Sequence, residues 1–208
     1  MKKRNLIILM ILLLAIDQIV KIVVKTHMTL DQYIPVLSDW FFIRFIENPG
    51  AAFGFEFGGD YGKLFLSLFR IVAVVFIFYY VGKLARRHDV PKGVLVGLTL
   101  ILAGALGNIV DSMFYGMIFN ESGFATVATL FPEGGGYAGV LHGKVVDMLY
   151  FPIIKNAAGQ TVFFSPVFNF ADAYISIGVI YMLLFQWRFF SGKTPKNRDI
   201  TTMDGTPL

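Results

Sequence analysis

Two aspartates, Asp147 in Gly143-Lys144-Val145-Val146-Asp147 and Asp172 in Phe168-Asn169-Phe170-Ala171-Asp172, lie in a chain that is otherwise strongly apolar. An ionised carboxylate inside a bilayer costs at least ~3 kcal/mol, so such groups tend to face a polar interior and act there. Two close carboxylates cannot both ionise easily. One then serves as base while the other keeps a proton, which is enough to activate water without a metal. Other polar groups fall at helical spacing. Asn108 and Asp111 are three residues apart, as are Asn169 and Asp172, so each pair shares a helix face, and Ser176 extends the second stripe. Asp17 and Lys21 are four apart and suit an ion pair. By intramembrane position alone Asp111 is a more obvious partner for Asp172 than Asp147 is. Arg70 either snorkels to an interface or counters a neighbouring carboxylate. Asn108 and Asn169 also suit interhelical hydrogen bonding.

Something must hold these groups at one level. Of the 208 residues, 56% are hydrophobic, 16% aromatic and 15% charged, and the mean hydropathy is +0.66. These values lie outside soluble usage and indicate a polytopic membrane protein. The absence of cysteine excludes disulfides and thiolate chemistry, and three scattered histidines offer no metal-binding helix. Four apolar runs, at about residues 6–24, 64–81, 94–110 and 167–190, are each long enough to span roughly 30 Å of hydrocarbon. Cationic residues cluster at Lys2-Lys3-Arg4, at Lys83, Arg86, Arg87 and Lys92, and at Arg188, Lys193, Lys196 and Arg198. They flank every second boundary, which places both termini and the middle loop in the cytoplasm. Loops at about 25–63 and 111–166 then lie outside, and all four helices bring polar groups to one level near the outer surface. The apolar start reads as a retained signal-anchor helix, because the run meets Asp17-Gln18 and Lys21 where a cleavage site would stand.

The expected architecture is therefore a membrane all-α protein, a four-helix transmembrane bundle with a small extracytoplasmic β platform. Residues 1–190 form a single domain, and 191–208 form a disordered cytoplasmic tail. The platform is expected from alternation in Trp40 to Asn48 and from Phe53, Phe55 and Phe57, with Asn48-Pro49-Gly50 as the turn between two strands. Such a surface could cradle a lipid or an extended peptide. The long connection to Pro166 contains a flexible stretch, Pro132-Glu133-Gly134-Gly135-Gly136.

These blocks resemble lipoprotein signal peptidase (signal peptidase II), a family of bacterial four-helix membrane aspartyl proteases. The matching segments are Asp17-Gln18 with Lys21, Asn48-Pro49-Gly50-Ala51-Ala52-Phe53-Gly54, Gly104 to Asp111, Val145-Val146-Asp147 and Phe168 to Asp172, in the family's order. The resemblance implies that Asp147 and Asp172 are the catalytic dyad. It also implies that Asp17, Lys21, Asn48, Gly50, Asn108, Asp111, Asn169 and Ala171 support the dyad or shape the substrate site. The implied activity removes signal peptides from diacylglyceryl-modified prolipoproteins, cutting before the lipidated cysteine, in the bacterial inner membrane. Neither metal nor cofactor nor nucleic acid is expected; the partners are the prolipoprotein and membrane lipids, and the protein is expected to be monomeric. Two departures stand out. Ser112 follows Asp111 where the family usually has arginine, and residues 114–140 look like an insertion. A small proton- or cation-coupled transporter using Asp17, Asp111 and Asp172 as a relay is the alternative. It lacks the internal repeats expected of that class.

Overall fold

The computed structural model of the protein describes residues 3–49, 59–155, 161–163 and 166–191. The first helix, α1 (Lys3–His27), inverts the soluble pattern. Asp17, Lys21, Val24 and Lys25 are buried, whereas Ile8, Ile11, Leu12, Ile19 and Val23 are exposed. A helix that turns aliphatic residues outward and charges inward is adapted to lipid. The next helix, α2 (Gly59–Leu84), follows the short strands β1 (Tyr33–Leu37) and β2 (Phe41–Asn48). It exposes Phe69, Val72, Phe76 and Tyr79. Then comes α3 (Lys92–Val110), which does not stop where the run of apolar residues suggested. It continues through a π-helical turn, Asp111–Tyr115, into a short α4 (Gly116–Ile118). Asn108 and Asp111 therefore lie within a helix rather than at its end. The π turn widens the backbone where these side chains must point inward.

The remaining elements are β3 (Val145–Tyr150), β4 (Ile154–Lys155), β5 (Thr161–Phe163), β6 (Val167–Phe168), α5 (Phe170–Phe185) and α6 (Trp187–Phe190). The expected fourth run thus starts later and breaks at Gln186, because Val167-Phe168 pair as a strand before Asn169 caps the helix. Among the described residues three stretches, Lys3–His27, Ser67–Leu84 and Lys92–Ile118, are long and apolar enough to cross a membrane; Phe170–Phe185 is apolar but shorter.

The sheet is antiparallel in the order β1-β2-β3-β6. The expected hairpin between β2 and residues 52–57 would lie across residues 50–58, outside those described. β2 instead pairs with β1 on one side and β3 on the other, with Ile46 opposite Asp147 and Asn48 opposite Val145. Pro35 lies on the edge strand β1, where a missing N–H is tolerated. All six residues of β3 are buried. That continuous burial hid the strand, since VVDMLY shows no alternation.

α3 and α5 pack closely because their contact surface is short of side chains. A Cβ on Gly104 would lie 2.2 Å from the Ala171 carbonyl oxygen, and one on Gly107 would lie 2.5 Å from Asp17 Oδ2. Small residues let membrane helices approach to backbone distance. At the same end of the bundle, Val24, Met28, Phe45, Tyr115, Phe119, Val146 and Met148 form one apolar core that joins the sheet to the helix ends. The segment after α4 is also built into this end. Phe119 and Leu130 form a β-bridge, and Tyr137 N–H donates to Phe119 O at 3.0 Å. The glycine-rich stretch is anchored at its far end: a Cβ on Gly136 would strike Gly116 O at 2.1 Å, while Gly135 N–H closes a turn onto Pro132 O at 2.9 Å.

Candidate active site

The cap of α5 fixes Asp172. Asn169 is the N-cap: its Oδ1 accepts from Asp172 N–H at 2.9 Å, while Asn169 N–H donates to Asp172 Oδ2 at 3.4 Å. This reciprocal box satisfies helix-end donors and ties the Asp172 carboxylate to the first turn. The side-chain amide of Asn169 is then free to reach inward. Its Nδ2 donates to Asp147 Oδ1 at 2.7 Å and to Asn108 Oδ1 at 3.1 Å. Asn108, from α3, donates Nδ2 to Asp172 Oδ1 at 2.8 Å. Asn108 and Asn169 thus bridge the two carboxylates. Asn48, at the end of β2, also hydrogen-bonds Asp147.

Asp147 projects from the strand between Val146 and Met148, both fully buried. Burial is the first cause that pushes its carboxyl up to about 7, and the charge of Asp172 adds to it. The hydrogen bonds from Asn169 and Asn48 and the charge of Lys21 oppose the rise. A carboxyl held near neutrality beside a second carboxyl is the arrangement that shares one proton. Arg70, on α2, is half-buried and interacts electrostatically with both Asp172 and Asp147. Of its two sequence readings, the countercharge is the one that the structure supports.

Beneath this pair lies a second polar layer. Lys21 Nζ contacts Asp17 Oδ2 at 3.0 Å, Asp111 Oδ2 at 2.8 Å and Asn108 Oδ1 at 2.9 Å. Gln18 donates to Asp111 Oδ1 at 2.9 Å and accepts from Tyr115 Oη at 3.2 Å. The two outer carboxylates each hold a backbone amide: Asp17 Oδ1 takes Ala171 N–H at 2.9 Å, and Asp111 Oδ2 takes Val146 N–H at 3.2 Å. Each of those amides is next in sequence to a dyad residue. Lys21 is fully buried, so removing it would strand two carboxylates out of water. Asp111, the more obvious partner of Asp172 by depth, is instead held by Lys21 and Gln18.

Asp17, Lys21, Asn48, Asn108, Asp111, Asp147, Asn169, Ala171 and Asp172 therefore converge, whereas Gly50 lies outside the described residues. Sequence reasoning passed over Gln18 and Tyr115. Gln18 was visible beside Asp17; Tyr115 carried no signal, because the π turn that aims it was not foreseen. Ser112 donates its hydroxyl to Asn108 O at 3.0 Å and is capped by Gly143, whose N–H donates to Ser112 O at 2.9 Å. A Cβ on Gly143 would already meet Asp111 O at 2.1 Å. The returning chain presses on this turn, and Ser112 is 5% exposed. A long cationic side chain would have no outlet there. Among the described residues no cluster suited to a metal ion occurs.

Comparison with known proteins shows the family and the fold. Residues 9–188 match the family described as signal peptidase (SPase) II. The chain is 51% identical over 185 residues to the lipoprotein signal peptidase of Porphyromonas gingivalis strain ATCC 33277, covering 85% of this chain and 80% of that one. It is 36% identical over 185 residues to the lipoprotein signal peptidase of Amoebophilus asiaticus, covering 84% and 74%. Two solved bacterial membrane enzyme structures share the fold. One, at 2.3 Å resolution, has a TM-score of 0.60 at 23% identity and covers 94% of each chain. The other, at 1.9 Å, has a TM-score of 0.57 at 24% identity and covers 88% of this chain and 92% of its own.

Proposed function

The chain belongs to the signal peptidase II family, and from that premise we propose that Asp147 and Asp172 are the catalytic dyad of a membrane aspartyl endopeptidase. It is a peptidase of bacterial prolipoproteins, embedded in the inner membrane, and it removes their signal peptides. The transporter alternative is not supported. The observation that carries the dyad is the pair of asparagine bridges that binds Asp147, on β3, to Asp172, on α5.

In the proposed reaction one carboxylate accepts a proton from water as the water attacks the scissile carbonyl. The protonated partner hydrogen-bonds the carbonyl oxygen and stabilises the developing charge. Protonation of the leaving amine completes the cut. Asp147 and Asp172 act as a unit, and the proton belongs to the pair. Asn108 and Asn169 keep the carboxylates oriented; Asp17, Lys21 and Asp111 hold the segments that bear them. The exposed edge strand β1 and the aromatic surface beside it would receive the substrate peptide in extended form.

In this reading both termini lie in the cytoplasm, α5 with α6 completes a fourth crossing, and the dyad lies near the outer face. The substrate's diacylglyceryl group then stays in lipid while the peptide lies across the interface, and a single copy of the chain suffices. The decisive experiment supplies purified protein in detergent with a diacylglyceryl-modified precursor. Asp147→Asn and Asp172→Asn should each lower cleavage by at least ~10³-fold, as loss of a dyad member removes acid–base catalysis. Near-normal cleavage by either variant would sink the dyad. Equal cleavage of an unmodified precursor would remove the requirement for the lipid.

A further inference from the structure

The segment between α4 and β3 has two chemically different sides. Its inner side is locked to the rest of the protein by a buried charge cluster. Lys25 Nζ pairs with Glu47 and donates to Ser122 Oγ at 2.9 Å, and Ser122 Oγ in turn donates to Glu47 Oε1 at 2.8 Å. Lys144 contacts Glu47 at 3.4 Å and Glu121 at 3.0 Å. The outer side differs in every respect. No residue from Ser122 to Pro132 carries a charge. Phe124 is 77% exposed and Phe131 73%, with Val127 and Leu130 half as exposed beside them.

Several backbone groups at the two ends of this crest are paired. Asn120 N–H donates to Thr129 O, Thr129 N–H to Asn120 Oδ1, Gly123 N–H to Thr126 O, and Phe131 N–H to Ile118 O. The amides between them, from Phe124 to Ala128, suit the wet headgroup layer rather than the hydrocarbon, where every backbone group needs a partner. Phe131 also has φ 52°, in the left-handed region that bulky side chains avoid. An exposed aromatic ring held at that cost has a use for its position.

The helices set the height of the crest. Gly123 O accepts from Leu30 N–H, three residues past the end of α1, and Phe131 is bonded to the last residue of α4. α1 has 25 residues and so extends about 37 Å, against about 30 Å of hydrocarbon; its ends therefore lie in the headgroup layers. On the π turn and α4, to whose last residue Phe131 is bonded, Phe114 and Met117 are exposed, so the outward apolar face of the spanning helix runs into the crest. We infer that residues 122–132 form an interfacial anchor, with Phe124 and Phe131 seated at the boundary of headgroups and acyl chains. The occupant of this surface is the bilayer, because the patch continues the lipid-facing surface as an uncharged run whose exposed charges, Glu121 and Glu133, stand only at its two ends. The catalytic assignment plays no part in this inference.

The absence of cysteine makes the test direct. Phe124→Cys, Phe131→Cys and Glu133→Cys, each carrying a nitroxide, are reconstituted into vesicles of phosphatidylethanolamine and phosphatidylglycerol. Each is checked first for cleavage of the lipidated precursor at the wild-type rate. At positions 124 and 131, collision with oxygen should exceed collision with a water-soluble nickel chelate several-fold, and Glu133→Cys should show the reverse. Preference for the chelate at both phenylalanine positions overturns the anchor. So does protection that appears only when precursor is added, which would make the crest a peptide-binding surface. Should one label perturb the protein, the other phenylalanine position decides.

Discussion

At Asp147 the environment outweighs residue type. An ordinary aspartate ionises near 4, but burial and the charge of Asp172 bring this one to about 7. If the active dyad carries one proton, activity must fall as pH rises through that value and the proton leaves. Asn48 favours the ionised form by hydrogen-bonding it. Asn48→Ala should therefore raise the Asp147 pKa further and move the alkaline limb of the pH–rate profile to higher pH. A shift toward lower pH would contradict the role given to Asn48. Lys21 permits a stability test. It compensates both Asp17 and Asp111 in a site that excludes water. Lys21→Met keeps the volume and removes the charge, and stranding buried partners costs about 3–5 kcal/mol. Unfolding in a denaturing detergent titration should show a loss of that size; an unchanged midpoint would mean that the charge of Lys21 does not hold this layer together.

Among the elements, the contact between α3 and α5 controls the site. Asn108 on one helix and Asn169 with Asp172 on the other can meet only because Gly104 and Gly107 remove side chains from between them. Gly104→Ala places a methyl group 2.2 Å from the Ala171 carbonyl, a backbone atom that cannot rotate away. Overpacking of this kind costs about 1–3 kcal/mol. The variant should lose thermal stability and cleavage together, whereas Gly82→Ala on α2, with nothing within 4 Å of its new methyl group, should lose neither. Equal behaviour of the two would show that helix spacing does not govern the dyad. The stripe of polar residues was legible from helical spacing, because i, i+3 and i, i+4 neighbours are set by local geometry. β3 was not: its continuous burial erases the alternation that marks a strand, and its partners Asn48 and Glu47 lie far away in sequence. The expected hairpin across Asn48-Pro49-Gly50 falls outside the described residues, whereas β2 pairs with β1 through the turn at 38–40 and with distant β3 by register.

For the molecule as a whole, the charge clusters and the helix ends make one claim about orientation. With both termini in the cytoplasm, Arg86 lies inside and Thr29 outside. In intact cells a membrane-impermeant maleimide should label Thr29→Cys and spare Arg86→Cys until the membrane is opened. The reverse pattern would invert the topology and move the dyad to the inner face. The same frame gives the 119–143 segment its place: it is bound to α1 through Ser122 and Lys25, and to β3 through Glu121 and Lys144. An expected loose connection is in fact part of the platform's foundation.

Composition and pattern determined that this chain lives in a membrane, roughly where its helices run, and which five blocks carry its family's chemistry. Those features are local or cumulative, and hydropathy records them residue by residue. The family resemblance named Asp147 beside Asp172, but spacing and depth favoured Asp111, and only tertiary structure shows what separates the two candidates. Asp111 and Asp147 compete for nearness to Asp172, and the outcome depends on Lys21 taking Asp111 and on the register of β3 against β2. Neither is encoded at short range. The proposed dyad rests on a buried lysine that pairs with Asp111 and on a strand that brings in Asp147.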